Sequence, residues 1–174
     1  TYLFARGASA SAVVKKLTDT FNQKALPIIE STEAPFSKTK TLILASIIER
    51  ETITGDERPI VAGILIKRLD SGWPLQVDAS NQYASGSLRC KRKVDCDWWT
   101  TPTSQDLEID SNYNTYKFSS LPPTPISNPG LSAMNAIVNF VETPYWYYIH
   151  DSSGVIHYAS SLEEHNSNVQ KYLR

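Results

Sequence analysis

Several things that would settle the class of this chain at once are scarce in it. Two cysteines among 174 residues are too few for a disulfide-built fold. With 7 glycines there is little material for a Gly-rich phosphate loop, and the sequence holds none. Neither sign of charge is in excess. The 17 Lys and Arg against 18 Asp and Glu leave a net charge of -1, so no polyanionic partner is advertised and no nucleic-acid binding is expected. Apolar runs such as residues 42–48 fall far below the ~18 residues needed to cross a bilayer. The three histidines, His150, His157 and His165, match none of the usual metal-ligand spacings, and no metal site is expected. His150 and His157 read as surface histidines on two arms of a hairpin.

What is present is the composition of an ordinary globular protein, 41% hydrophobic and 20% charged. At roughly 150 residues per domain the length gives one domain. The chain opens at Thr1 without a Met, a basic n-region or an apolar h-region, and so reads as a mature or excised segment.

Apolar residues at 13, 14, 17, 21 and 25 predict a helix over residues 9–25, ended by Pro27. Residues 31–37 read as a connection. A second helix is predicted over residues 38–52, with Leu42, Ala45, Ser46 and Glu49 on one stripe. Asp56 reads as the cap of a third, closed by Gly72. After an extended piece over residues 73–77, a short helix is expected from Asp78 to about Tyr83. Periodicity is lost over residues 85–112, where a basic loop bracketed by Cys90 and Cys96 runs into Trp98-Trp99; it reads as a surface insertion with a stiffened tip. A fourth helix is predicted over residues 131–141. Aromatic and β-branched runs at residues 145–150 and 155–159 flank Asp151-Ser152-Ser153-Gly154, a hairpin signal. Ser161 and Glu164 have capping-box spacing for a last helix through Tyr172. The order, helices first and strands late, predicts an α+β fold: a single domain of several helices with a late antiparallel hairpin.

Cys90 and Cys96 form either a disulfide across a small loop or a free or metal-bound pair. Arg89, Lys91, Arg92 and Lys93 read as a solvated charge cluster. Glu49 is more informative. A carboxyl on a mainly apolar stripe is disfavoured in its ionised form by desolvation, which is what a general acid requires. It reads equally as a core-edge Glu paired with Arg50 or Arg58, and periodicity leaves both readings open.

The segments Leu44-Ala45-Ser46-Ile47-Ile48-Glu49-Arg50-Glu51-Thr52, Asp56-Glu57-Arg58, Lys67-Arg68-Leu69 and Leu75-Gln76-Val77-Asp78 come in one order. Tyr113-Asn114-Thr115-Tyr116, Leu121-Pro122-Pro123, Pro125-Ile126-Ser127-Asn128-Pro129-Gly130, Thr143-Pro144-Tyr145 and His165-Asn166 continue it. Together they resemble the endolytic murein transglycosylase family (MltG/YceG-like) over nearly the whole chain. The resemblance departs at Asp78-Ala79-Ser80, where the family has Asp-Pro-Thr, and at Lys67, where it commonly has Asn. The Cys-bracketed segment has no family counterpart.

The resemblance implies a catalytic domain over residues 1–174, with residues 1–36 as a linker segment from a preceding N-terminal lobe. It implies an enzyme tethered through an N-terminal membrane anchor and acting on the extracytoplasmic face. That enzyme cuts the MurNAc-GlcNAc β-1,4 bond of peptidoglycan glycan strands to leave a 1,6-anhydro end, without a cofactor and in the company of cell-wall synthases. The family motif puts the catalytic glutamate at Glu49, as acid to the leaving oxygen and then as base. Gln76, Asp78, Tyr113, Asn114 and Tyr116 are the expected glycan-binding residues, local capping and core packing being their other readings. Glu51 lies roughly 200° around the helix from Glu49 and is expected to orient Arg58 or a backbone amide. His165 and Asn166 are expected to fix the last helix against the cleft. Two other readings stay open: a non-catalytic peptidoglycan-binding scaffold, and a muramidase-type hydrolase in which Asp78 activates water.

Overall fold

A computed structural model describes residues 2–31 and 34–173, so residues 32 and 33 of the connection expected at 31–37 lie outside the described residues. The chain folds as α1 (Ala10–Lys24), α2 (Leu26–Ile29), α3 (Lys38–Glu51), α4 (Arg58–Asp70), α5 (Asp78–Arg89), a 3₁₀ turn (Asp106–Glu108), α6 (Leu131–Val138), β1 (Tyr147–His150), β2 (Ile156–Ala159) and α7 (Leu162–Tyr172). Helices with one late antiparallel hairpin make it the expected α+β domain.

α3 is the centre of the molecule. Its apolar residues do not form a stripe but run almost all round, and Leu44, Ala45, Ile47 and Ile48 are completely buried. A helix apolar on every side must be covered on every side; α3 packs against α4, α5 and α6. Each large aliphatic side chain buried there contributes ~1.5–3 kcal/mol. Ser46 is carried into this core because its hydroxyl donates to Ile43 O and accepts from Ile126 N, which ties the 121–130 segment across the helix. α4 reaches the core through Val61, Ala62, Ile64 and Leu65. A Cβ on Gly63 would sit 1.9 Å from Val141 O, so the close approach of the 138–144 segment to α4 needs glycine there.

Several boundaries differ from those predicted. Pro27 does not simply end the first helix: it occupies the first turn of α2, where its missing N–H has no intrahelical partner to lose. Asp56 is not the cap of α4. Glu57 holds that position, and its carboxylate accepts from the amides of Ile53 and Thr54, which closes the turn between α3 and α4. α5 runs six residues beyond Tyr83, because the small residues Ala84, Ser85 and Gly86 are buried on its inner side and carry no periodic apolar signal. α6 ends at Val138, before the expected Thr143-Pro144 stop, and the freed Val141 amide donates to Pro59 O.

Ser9 and Ser161 cap α1 and α7 by accepting from Ala12 N and Glu164 N, and Glu164 reaches back to the amide of Ser160. Cys90 and Cys96 are joined as a disulfide, with Cα atoms 5.5 Å apart. Residues 91–95 form its exposed tip.

Candidate active site

The C-terminal turn of α3 sends three consecutive polar side chains in three directions. At 100° per residue Glu49 and Glu51 leave on nearly opposite faces. The two carboxyl groups enter different depressions.

Glu49 borders a shallow groove of about 1080 Å³ between α1 and the 128–131 segment. Its Oε1 accepts from Arg58 Nη2 at 3.3 Å and its Oε2 from Gly130 N at 3.0 Å. Its side chain is 30% exposed. The desolvated carboxyl expected on this helix is therefore not Glu49, which meets solvent and a guanidinium. Arg58 also donates to Thr52 Oγ1, so it serves Glu49 rather than Glu51.

Glu51 opens on a cleft of about 520 Å³ on the other side. Its Oε2 accepts from the Tyr148 hydroxyl at 2.7 Å and its Oε1 from the Ala79 amide in the first turn of α5 at 3.3 Å. Of the two expected partners, Arg58 and a backbone amide, it takes the amide. Burial pushes its pKa up from the ordinary 4.5; the hydrogen bonds of Tyr148 and Ala79 oppose the rise, and the charge of Asp78 adds to it. Burial beside this carboxyl raises the Tyr148 hydroxyl well above its usual value as well.

Most of the residues singled out for glycan contact converge on this second cleft. Gln76 and Asp78 are exposed in it, alternating with fully buried Leu75 and Val77. Gln76 holds a φ of 51°, a left-handed conformation uncommon outside glycine, and its amide donates to Thr115 O. The Val77 amide donates to Thr115 Oγ1, so the 113–116 segment fixes the 75–78 strip from behind. The Tyr116 hydroxyl donates to Asp78 Oδ1 at 2.5 Å. Burial and that carboxylate push the Tyr116 pKa up.

Asn114 and Tyr113 lie elsewhere. Asn114 is completely buried; its amide donates to Leu107 O and Ile109 O, and its Oδ1 accepts from Tyr116 N. It shapes the segment and presents no surface to a sugar. Tyr113 packs its ring 4.8 Å from Tyr83 and bonds its hydroxyl to Thr124, outside the cleft lining. His165 stacks on Tyr147 at 5.0 Å, which holds α7 to β1 at the cleft wall, while Asn166 is exposed on α7.

Sequence reading missed three residues of this cleft. Arg68, near the end of α4, donates to Trp146 O through Nε and Nη2 and to Leu75 O through Nη1, clamping the start of the hairpin to the 73–77 strip. Burial lowers its pKa. Tyr148 was hidden in an aromatic run, although strand alternation puts Tyr148 and His150 on one face. His150 is not a surface residue: it is half-buried, 3.2 Å from the buried Glu57 carboxylate. His157 is likewise tied down, to Asp151 at 2.9 Å and against the Tyr172 ring at 3.6 Å.

A profile described as the YceG-like family matches residues 1–171. An endolytic murein transglycosylase of Bacillus subtilis is 37% identical over 134 residues, 77% of this chain and 34% of the relative. One from Streptococcus pneumoniae is 32% identical over 133 residues, 76% of this chain and 23% of the relative. The chain thus spans about a third of the length of the first of these relatives and about a quarter of the second. The crystal structure of a yceG-like protein from Listeria monocytogenes matches with a TM-score of 0.78 at 32% identity, over 96% of this chain and 52% of that one.

Proposed function

The chain belongs to the YceG-like family, and from that premise we propose that it is the catalytic portion of an endolytic murein transglycosylase in which Glu51, not Glu49, moves the proton. The observation that carries the reading is the enclosed Glu51 carboxyl, raised in pKa and facing a cleft that also presents Gln76, Asp78 and Tyr116. The qualities first sought in Glu49, desolvation and polar neighbours able to hold a sugar, belong to the residue two positions on.

Glu51 in its acid form gives its proton to the glycosidic oxygen of a MurNAc-GlcNAc bond, and the anomeric carbon–oxygen bond breaks. The C6 hydroxyl of the muramoyl unit attacks that carbon and closes the 1,6-anhydro ring. Its proton passes to the Glu51 carboxylate, which restores the starting acid; no water is consumed. One carboxyl group thus serves as acid and then as base. Because the C6 hydroxyl is tethered to the reacting sugar, its effective concentration reaches ~10⁵ M or more when well oriented. Orientation is the task of the walls. Tyr148 and the Ala79 amide aim the carboxyl, and Gln76 and Asp78 offer an amide and a carboxylate to hydroxyl and N-acetyl groups. Glu49 with Arg58 and Gly130 is assigned to holding α3, α4 and the 128–131 segment together.

As in the relatives' names, the substrate is murein. The site of action is then the extracytoplasmic face of the membrane, with anchor and synthase contacts supplied by other parts of the protein. The test is mass spectrometry of glycan strands incubated with the chain and with Glu51→Gln. Fragments ending in anhydro-MurNAc, lighter by one water than hydrolysis products, are expected from the first and are reduced ~10²–10⁴-fold in the second. Asp78 in the same cleft favours one second reading, a muramidase that activates water. Reducing ends alone would establish that reading and exclude the lyase.

A further inference from the structure

The cleft has an end that the proton transfer does not use. Arg68 is 6% exposed, and its bonds among the described residues all go to carbonyl oxygens. Three of the five guanidinium N–H groups are spent this way, which leaves one on each terminal nitrogen. The Arg68 guanidinium lies 5.5 Å from the Tyr147 ring centroid, and His165 stacks on the same ring at 5.0 Å. Nδ1 of His165 is buried and has no hydrogen-bond partner among the described residues. The two carboxyl groups of the cleft are held by other partners, Glu51 by Tyr148 and Asp78 by Tyr116. Beyond His165 the wall is apolar: Leu162 and Leu173, 57% and 51% exposed, line the same cleft.

A buried cation with no carboxylate among its hydrogen-bond partners and a buried ring nitrogen with no partner among the described residues are costly to maintain, and their coincidence in one cleft points to a ligand. We infer that the Arg68–His165 end of the cleft is a subsite for a carboxylate on the lactyl arm of muramic acid, with Leu162 and Leu173 against the arm's methyl groups. The inference rests on the murein reading of the Glu51 cleft. It adds to that reading that the strand is oriented by its muramoyl side arm, so that a muramoyl rather than a glucosaminyl unit sits over the proton donor. Two sources present this chemistry: the lactyl group's own carboxylate in a peptide-free strand, and the first carboxylate of a stem peptide.

Calorimetric titration of the Glu51→Gln chain tests the subsite without relying on cleavage. The probes are chitotetraose, which lacks any carboxylate, a GlcNAc-MurNAc tetrasaccharide, and the same tetrasaccharide bearing L-Ala-D-Glu. Binding of one or both carboxylate-bearing probes at least 10-fold tighter than chitotetraose is expected, and the tighter of the two identifies the source. Arg68 clamps two segments, so Arg68→Gln risks the fold; Leu162→Glu and Leu173→Glu place a repelling charge at exposed positions instead. Either is expected to cut the preference of the carboxylate-bearing probes over chitotetraose below 3-fold. Equal affinity for all three probes, no binding of any, or a preference that survives both rim substitutions overturns the subsite. Cleavage of strands by the unsubstituted chain together with equal probe affinities would leave the murein reading standing and remove the subsite alone.

Discussion

Glu49 and Glu51 stand two residues apart on one helix and meet opposite surroundings. Glu49 looks toward α1, where a guanidinium and a loop amide take its oxygens and solvent reaches it. Glu51 looks toward the hairpin, where a tyrosine hydroxyl and a helix N-terminal amide take its oxygens and burial raises its pKa. The first environment suits a fixed charge that joins segments; the second suits a group that must give up and regain a proton.

The comparison is broken most directly by exchanging each carboxylate for its amide. Glu51→Gln is expected to lower glycan-strand cleavage by ~10³-fold, within the usual range for loss of a positioned general acid. Glu49→Gln is expected to stay within about 3-fold of the unsubstituted rate. Fragment release followed by chromatography decides: an inactive Glu49→Gln beside an active Glu51→Gln would invert the assignment.

Tyr148→Phe sharpens the Glu51 side. Its hydroxyl bond favours the charged carboxylate, so removing it should push the Glu51 pKa further up. The activity limb that falls as the acid loses its proton should move to higher pH, while misaimed carboxyl geometry costs roughly 10-fold in kcat/KM. A pH–rate profile with an unmoved alkaline limb would show that Tyr148 does not act through Glu51.

The same shift has a thermodynamic face. An acid whose folded pKa lies above its unfolded value binds protons more tightly in the native state, so stability falls as pH rises from about 4.5 through the folded pKa. Thermal unfolding followed across that window should show this decline, and Glu51→Gln should remove it. Glu49→Gln removes the Glu49–Arg58 pair and should cost about 1 kcal/mol near neutral pH, the scale of a partly exposed ion pair. Equal slopes in the unsubstituted and Glu51→Gln chains would contradict the buried-acid description.

Much of the fold was legible in the sequence, because local signals carried it: Ser161 as a cap, Gly72 as a stop, and the 151–154 turn between two aromatic runs. The site was legible in part. Gln76, Asp78, Tyr116 and His165 share one cleft, but the carboxyl that opens on it is Glu51 and not Glu49, and the contacts that place it there are remote. Tyr148 lies 97 positions from Glu51, and Ala79 lies 28. Helical spacing showed that the two glutamates face apart without showing which face meets the hairpin. α5 is predicted too short for a related reason: Trp98 crosses Gly86, where a Cβ would meet Trp98 O at 2.9 Å, and the buried Ser85 donates its hydroxyl to Asp106, 21 positions on.

The smallest effect on the comparison is expected from the Cys90–Cys96 loop, whose neighbours touch the helix between the two carboxylates. The Arg50 guanidinium lies 3.9 Å over the Trp99 ring, and Trp99 O accepts from Gln82, one turn along α5 from Asp78. Trp98 packs on Tyr83 at 5.9 Å, and Tyr83 on Tyr113. The tryptophans therefore have anchors of their own, and the disulfide mainly restrains the exposed residues 91–95. Closing so short a loop contributes roughly 2 kcal/mol through the unfolded chain. Reduction, or the double substitution Cys90→Ser and Cys96→Ser, should lower Tm by roughly 4–8 °C for a chain of this size. Cleavage measured well below that Tm should change less than 3-fold, because Asp78 and Gln76 are fixed by Thr115 and Tyr116 and not by the loop. A larger loss of activity, without a matching loss in a Trp99→Ala chain, would mean that the basic tip itself contacts the glycan and that the cleft extends beyond α5.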